Sequence, residues 1–198
     1  MAQQLIDNGT FAGDPDAENL FESFEKVNDN STEMYSVGGW GNYDSGLTAP
    51  VSLTVNTTPS KFQSDALGSG SNSDYLPLQI RGISELWDAI NDKITPIGVG
   101  DTYDVRINLE ILTKTGAPKV LIVTPDIGGA AGITIPIPGA IVPVETSLVP
   151  FTLPIYFKVF SLATFLLNGA QIFLATDAGT ITIGARSIFI ERVNKGIL

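Results

Sequence analysis

Tyr103-Asp104-Val105-Arg106-Ile107-Asn108-Leu109-Glu110-Ile111 alternates five apolar residues with four polar ones. A period of two sends successive side chains to opposite faces of an extended chain, so this segment reads as a strand with one buried and one wet face. Shorter strand-like runs occur at Val51 to Val55, Leu76 to Ile80, Val120 to Val123, Ile133 to Ile137, Ile155 to Phe160, Gln171 to Ala175, Thr180 to Ile183 and Ser187 to Val193. Turn chemistry separates them, at Gly98-Val99-Gly100-Asp101, Gly116-Ala117-Pro118, Pro125-Asp126-Ile127-Gly128-Gly129, Pro138-Gly139, Asn168-Gly169 and Asp177-Ala178-Gly179. Many short strands at roughly ten-residue spacing imply a sandwich or barrel and not a parallel α/β sheet. Ser84 to Asn91 is the one plausible helical turn in this region, and no fixed-period repeat points to a solenoid or propeller.

Charge divides the chain unevenly. Residues 1–44 hold nine acids and one base, a net of −8, whereas residues 45–198 hold twelve acids and ten bases, a net of −2. The expected organisation is therefore an acidic N-terminal arm over 1–44 and a strand-rich head over 45–198. The arm carries one helix signal. Asp14 suits the N-cap, Pro15 the first helical position, and Asp16 and Glu18 the positive end of the dipole. Leu20, Phe24 and Val27 then recur at helical spacing with Phe21 beside them, and the pattern ends at Asn28-Asp29-Asn30-Ser31. So short a helix is marginal alone in water, and its apolar stripe must pack on its own domain or on a partner. Val37 to Gly46 is glycine-rich and reads as an irregular connector anchored by Trp40 and Tyr43, or as a flexible linker whose aromatics fold back on the domain.

The chain has no His and no Cys. Imidazole- or thiol-based nucleophilic catalysis, ordinary zinc and copper centres, iron–sulfur clusters and disulfides are thereby excluded. Carboxylate pairs such as Asp101 with Asp104, or Asp88 with Asp92, meet the residue requirement of a glycosidase, yet each sits at turn signals where Asp serves the backbone. No segment matches a calcium loop, and the glycines at 98–100 and 128–132 lack the context of a phosphate cradle. The expectation is no enzyme, no catalytic residue, no cofactor and no metal. A net charge of −10 also argues against nucleic acid. Val149 to Leu167 is apolar, but Lys158, Pro150 and Pro154 favour buried strands with turns over membrane insertion. Met1 to Asp7 lacks the features of a secretory leader, so synthesis in the cytosol is expected. Ile133 to Val144 and Val149 to Leu167 carry more apolar residues than one strand face accounts for, which predicts a closed homo-oligomer.

Two segments carry family resemblances. Gly9-Thr10-Phe11-Ala12-Gly13-Asp14, Leu20, Phe24-Glu25-Lys26-Val27-Asn28-Asp29-Asn30 and Glu33-Met34-Tyr35 resemble the N-terminal segment of tailed-bacteriophage fibre and other virion structural proteins. The sequence departs from that pattern in a shortened turn, in lacking an Arg after Leu20 and in Ser31 where an aromatic is usual. Leu76 to Val193, above all Gly169 to Thr180 and Ser187 to Val193, is similar to the trimeric jelly-roll heads of phage fibres, laid out like tumour-necrosis-factor-type domains. The resemblance implies a mainly β protein, an antiparallel jelly-roll-like β-sandwich with a short N-terminal helical arm. It further implies a homotrimer, assembled in the host cytoplasm and located on the virion, that acts as a capsid decoration or short fibre and is fastened to other virion proteins of the capsid or tail. Leu20, Phe21, Phe24, Val27, Tyr35, Trp40 and Tyr43 are the candidate docking residues. The alternative is a tail-fibre module recognising a host-surface glycan or protein receptor through loop aromatics such as Tyr75 or Trp87.

Overall fold

The computed structural model describes residues 22–28, 38–46, 52–76, 85–118, 120–127 and 151–194. A helix, α1, covers 22–28. The strands are β1 (Gly39–Asp44), β2 (Leu53–Val55), β3 (Ser60–Lys61), β4 (Trp87–Asp88), β5 (Lys93–Ile94), β6 (Thr102–Thr115), β7 (Leu121–Asp126), β8 (Phe151–Phe160), β9 (Ala170–Thr176) and β10 (Thr180–Asn194), and a second helix, α2 (Ala163–Asn168), joins β8 to β9.

The strands form two antiparallel five-stranded sheets. In the first sheet β10 is flanked by β6 on one edge and by β1 and β2 in succession on the other, with β8 outside β6. In the second, β9 lies between β7 and the successive short strands β3 and β5, with β4 beyond β5. The chain changes sheet after β2 and β5 and then after each of β6, β7, β8 and β9, so strands distant in sequence interleave. The fold is a mainly β, jelly-roll-like sandwich.

β6 obeys its period of two: Tyr103, Val105, Ile107, Leu109 and Ile111 are all buried. They meet Ile155, Phe157 and Val159 of β8, Ile172 and Leu174 of β9, Leu121 and Val123 of β7, and Phe62, Trp87 and Phe165 in one apolar core. Burying each such side chain contributes about 1.5–3 kcal/mol, which is what turns the alternation into a fold.

β10 departs from the expected pair of strands at Thr180 to Ile183 and Ser187 to Val193, because it is one strand of 15 residues. Ile183 pairs with Ile111 and Arg186 with Leu109, so β10 spends one extra residue there. The buried set accordingly changes phase, from Ile181 and Ile183 to Ile188 and Ile190. A bulge turns both out-of-phase runs towards the same core. The freed backbone is satisfied locally, since Ala185 N donates to Glu110 Oε2 at 3.0 Å. The preceding turn needs Gly179, at φ 63°, because a Cβ there would collide with the carbonyl oxygen of Thr115.

Two buried polar knots tie the layers. Arg192 Nη2 donates to Asp101 Oδ1 at 3.0 Å, and the Tyr103 hydroxyl donates to Asp101 Oδ2 at 3.1 Å while accepting from Ile97 N at 2.7 Å. Elsewhere the Tyr43 hydroxyl accepts from Leu86 N at 2.8 Å, Ser64 Oγ donates to the Tyr43 carbonyl at 3.1 Å, and Trp87 Nε1 donates to the Ser64 carbonyl at 2.9 Å.

Several sequence expectations need correction. Val37 to Gly46 is not a connector: Gly39 to Asp44 pairs in register with Arg192 to Ser187. The expected arm boundary at Asp44 therefore assigns a whole strand of the sandwich to the arm, whereas residues from Gly39 to Asp44 belong to the body. Gly41 is selected because a Cβ would occupy the space of the Tyr43 ring. Ser84 to Asn91 is not a helical turn over its described part, since Trp87 and Asp88 pair with Ile94 and Lys93 as a hairpin. The helix lies instead at α2, inside a run expected to be strand and turn, where Phe165 alone is buried. The expected strand at Ile133 to Ile137 and most of Leu76 to Ile80 lie outside the described residues.

Asp101→Ala should remove the carboxylate that balances the buried Arg192 and lower the unfolding free energy by about 3–5 kcal/mol, read from urea denaturation. Burial, the largest influence, pushes the phenols of Tyr43 and Tyr103 well above the ordinary tyrosine range, against the backbone amides of Leu86 and Ile97 that pull the other way. Unfolded tyrosines ionise near pH ~10 while these two stay neutral in the fold, so stability is complete below that pH and declines as pH rises beyond it. Denaturation midpoints from pH 8 to 11 should show that decline, and Tyr43→Phe should flatten it.

Candidate interaction surface

The polar phase of the long strands forms the outer face of the β10 sheet, and its register fixes which side chains meet. One row across the sheet runs Trp40, Glu191, Asp104, Lys158, and the next runs Asn42, Phe189, Arg106, Tyr156. Thr102 and Phe160 form a pair at the end of this face. Trp40 stacks on Tyr75 with ring centroids 4.5 Å apart and on Phe189 at 5.4 Å. The Arg106 guanidinium carbon lies 5.0 Å from the Phe189 centroid, a cation–π contact. Lys158 Nζ reaches Asp104 Oδ1 at 2.8 Å. An open concavity of about 430 Å³ lies here, lined by Asp104, Arg106, Tyr156, Lys158, Phe189 and Glu191 among others.

β8 explains the apolar excess seen in the sequence. Ile155, Phe157 and Val159 point into the core, yet the opposite phase carries Tyr156 and Phe160, which are 65% and 62% exposed. A strand with one apolar phase in the core and large aromatics on the other presents two surfaces, and among the described residues only the first is covered.

The carboxylate pairs do not build a hydrolytic site. Asp101 is buried against Arg192 while Asp104 faces outward to Lys158, and Asp92 pairs with Lys61 at 3.2 Å. Asp88 accepts from the amides of Ile90 and Asn91 and from the Asn91 side chain. Burial raises its pKa, and these hydrogen bonds, with Lys93 nearby, more than offset that and hold the carboxyl below the ordinary range. A second hollow of about 700 Å³, between the 64–74 and 85–95 loops, is lined by Asp65, Asp74, Glu85 and Asp88, of which Asp65 and Asp88 cap turns and Glu85 accepts from Ser73 Oγ. Among the described residues no group of three or more acidic side chains is placed to hold a metal ion, and no helix is long and apolar enough to cross a membrane.

Of the expected docking residues, Leu20, Phe21 and Tyr35 lie outside the described residues. Phe24 and Val27 are on α1, 59% and 45% exposed, and their spacing of three places them on one side of the helix. Trp40 is half-buried in the aromatic row. Tyr43 is only 3% exposed and is a core residue, because it falls on the inward phase of β1. Tyr75 is exposed, but Trp87 is buried and cannot serve as a receptor contact. Sequence reasoning missed Arg106, Phe189, Tyr156, Phe160 and Glu191; the available signal was aromatic residues on the outward phase of β8.

No family model and no curated protein matches the chain in sequence. Among solved structures it is similar to PRD1 vertex protein P5, at 11% identity over 80% of this chain and 98% of that one, with a TM-score of 0.42. It is also similar to the Eiger TNF from S. frugiperda, at 9% identity over 81% and 96%, with a TM-score of 0.40. The architecture itself rests on the strand pairing described above.

Phe189→Ala would remove the ring beneath Arg106 and beside Trp40, and should lower the unfolding free energy by about 2 kcal/mol through lost stacking and cation–π contact. Tyr156→Ala, acting on a ring that faces solvent, should change it by no more than ~0.5 kcal/mol. Chemical denaturation of the two variants distinguishes the ring that supports the fold from the ring that is free to meet a partner.

Proposed function

We propose that the protein is a phage virion structural component, a capsid decoration or short fibre protein whose sandwich head forms a homotrimer and whose N-terminal arm fastens it to other virion proteins. The observation that carries the self-associating half is β8, whose outward Tyr156 and Phe160 are exposed although its other phase is already in the core. A large apolar surface on a soluble chain is a site of association, and association among identical chains closes into symmetric rings.

Attachment through the arm is supported by the likeness of Gly9 to Tyr35 to virion N-terminal segments and by the exposed Phe24 and Val27 of α1. One short helix docks weakly. Three helices held together by a trimeric head bind with an effective concentration that a single arm lacks, so attachment depends on the head being assembled. Because β1 belongs to the sandwich, the arm proper ends before Gly39.

Removal of residues 1–37 should leave a folded oligomer, measured by circular dichroism and light scattering, that no longer co-sediments with virus particles. Full-length protein that stays monomeric at micromolar concentration overturns the trimer, and truncated protein that still co-sediments overturns the anchor.

A further inference from the structure

We propose that the outer face of the β10 sheet docks on a second copy of this chain, with Arg106 of each copy receiving Glu191 of another. This rests on the self-association reading above and goes beyond it by naming the face and the charges that set its register.

Arg106 is held in place without being satisfied. Its cross-strand neighbours are Phe189 and Tyr156, and its guanidinium lies over the Phe189 ring. Its Nε is enclosed and has no hydrogen-bond partner. The Nε is shielded from solvent, so an arriving carboxylate meets the Nη donors, which make no hydrogen bond or ion pair among the described residues.

Glu191 has the complementary deficit. It stands directly opposite Asp104 on the neighbouring strand, where two carboxylates repel. Lys158 neutralises Asp104, and among the described residues the Glu191 side chain makes no hydrogen bond or ion pair. Glu191 and Arg106 are diagonal neighbours on adjacent strands, about 7–8 Å apart between backbones, and form no ion pair within the chain.

One face thus holds a cation lacking an acceptor and an anion lacking a donor, surrounded by Trp40, Phe189, Tyr156 and Phe160. Charge complementarity selects the occupant. A phosphate, a sulfate or an acidic sugar drawn to Arg106 would lie beside Glu191 and Asp104, which repel it. Nucleic acid finds no net positive charge, because two bases face two acids. A second copy brings both missing signs together with the aromatic area that excludes water from the pair. Charges so placed fix the angle at which copies meet, since a shift of one residue pair sets like charges together.

The test uses full-length protein and sedimentation equilibrium. Glu191→Arg removes an exposed side chain with no partner among the described residues, so it should fold normally and weaken self-association about a hundredfold. Arg106→Glu should weaken it similarly, and the double variant R106E/E191R should return to within about tenfold of the parent. Urea midpoints of all three variants separate loss of association from loss of folding, and Glu191→Arg remains decisive if Arg106→Glu fails to fold. A parent protein that is monomeric overturns the self-association reading and this pairing with it. A parent that associates while Glu191→Arg leaves its dissociation constant unchanged overturns the pairing alone. Single variants that weaken association without rescue in the double variant also overturn it, because each residue would then meet something other than its proposed partner.

Discussion

The structure depends on β10 being paired along both edges while changing phase in its middle. β6 runs beside it from Thr180 to Asn194, and β1 and β2 divide its other edge. Without the bulge after Ile183, either Ile181 and Ile183 or Ile188 and Ile190 would face solvent, since a strand of constant period cannot present both sets to one side. The bulge also brings Arg186 inward, where its guanidinium donates to the carbonyls of Gln63 and Gly184. One local irregularity therefore aligns two apolar runs and anchors the loop before Ser64.

Buried arginines and an outward one are treated differently by this fold. Arg192 sits at the end of the core with Asp101 as its partner, and that carboxylate is held in turn by Tyr103. Arg186 finds backbone carbonyls. Arg106 is given aromatic rings in place of a carboxylate or carbonyl, and its Nε, like that of Arg192, has no hydrogen-bond partner. The first two are what enclosed charges require if the fold is to be stable. The third occurs on a face where Tyr156 and Phe160 also remain exposed, and that coincidence is what separates an interaction surface from ordinary solvent-facing sheet.

Where the sequence misleads, the cause is local chemistry overruled by distant partners. Gly39 and Gly41 lower strand propensity, so β1 reads as a linker; pairing with β10 and room for the Tyr43 ring override that. Asp88 and Asn91 suggest a helical turn, yet they cap the reverse turn of a hairpin. Leu162, Leu166 and Leu167 have no clean helical period, because α2 buries little beyond Phe165. Pro154 lies inside β8 and Pro125 inside β7, both the outermost described strands of their sheets, where a missing N–H is tolerated.

The alternation of Tyr103 to Ile111 was sufficient by itself to specify a half-buried strand, and the punctuation of the other runs by turns to specify a mainly β chain. Periodicity is a property of a few neighbouring residues, so it fixes which side chains face inward wherever the strand lies. Only the tertiary structure decided which outward side chains meet. Trp40, Arg106, Tyr156 and Phe189 lie on four separate strands and become neighbours through cross-strand register, and Tyr75 joins them from a loop by stacking on Trp40. Register is set by bulges, turns and core packing over the whole sandwich, and no local window of sequence contains it.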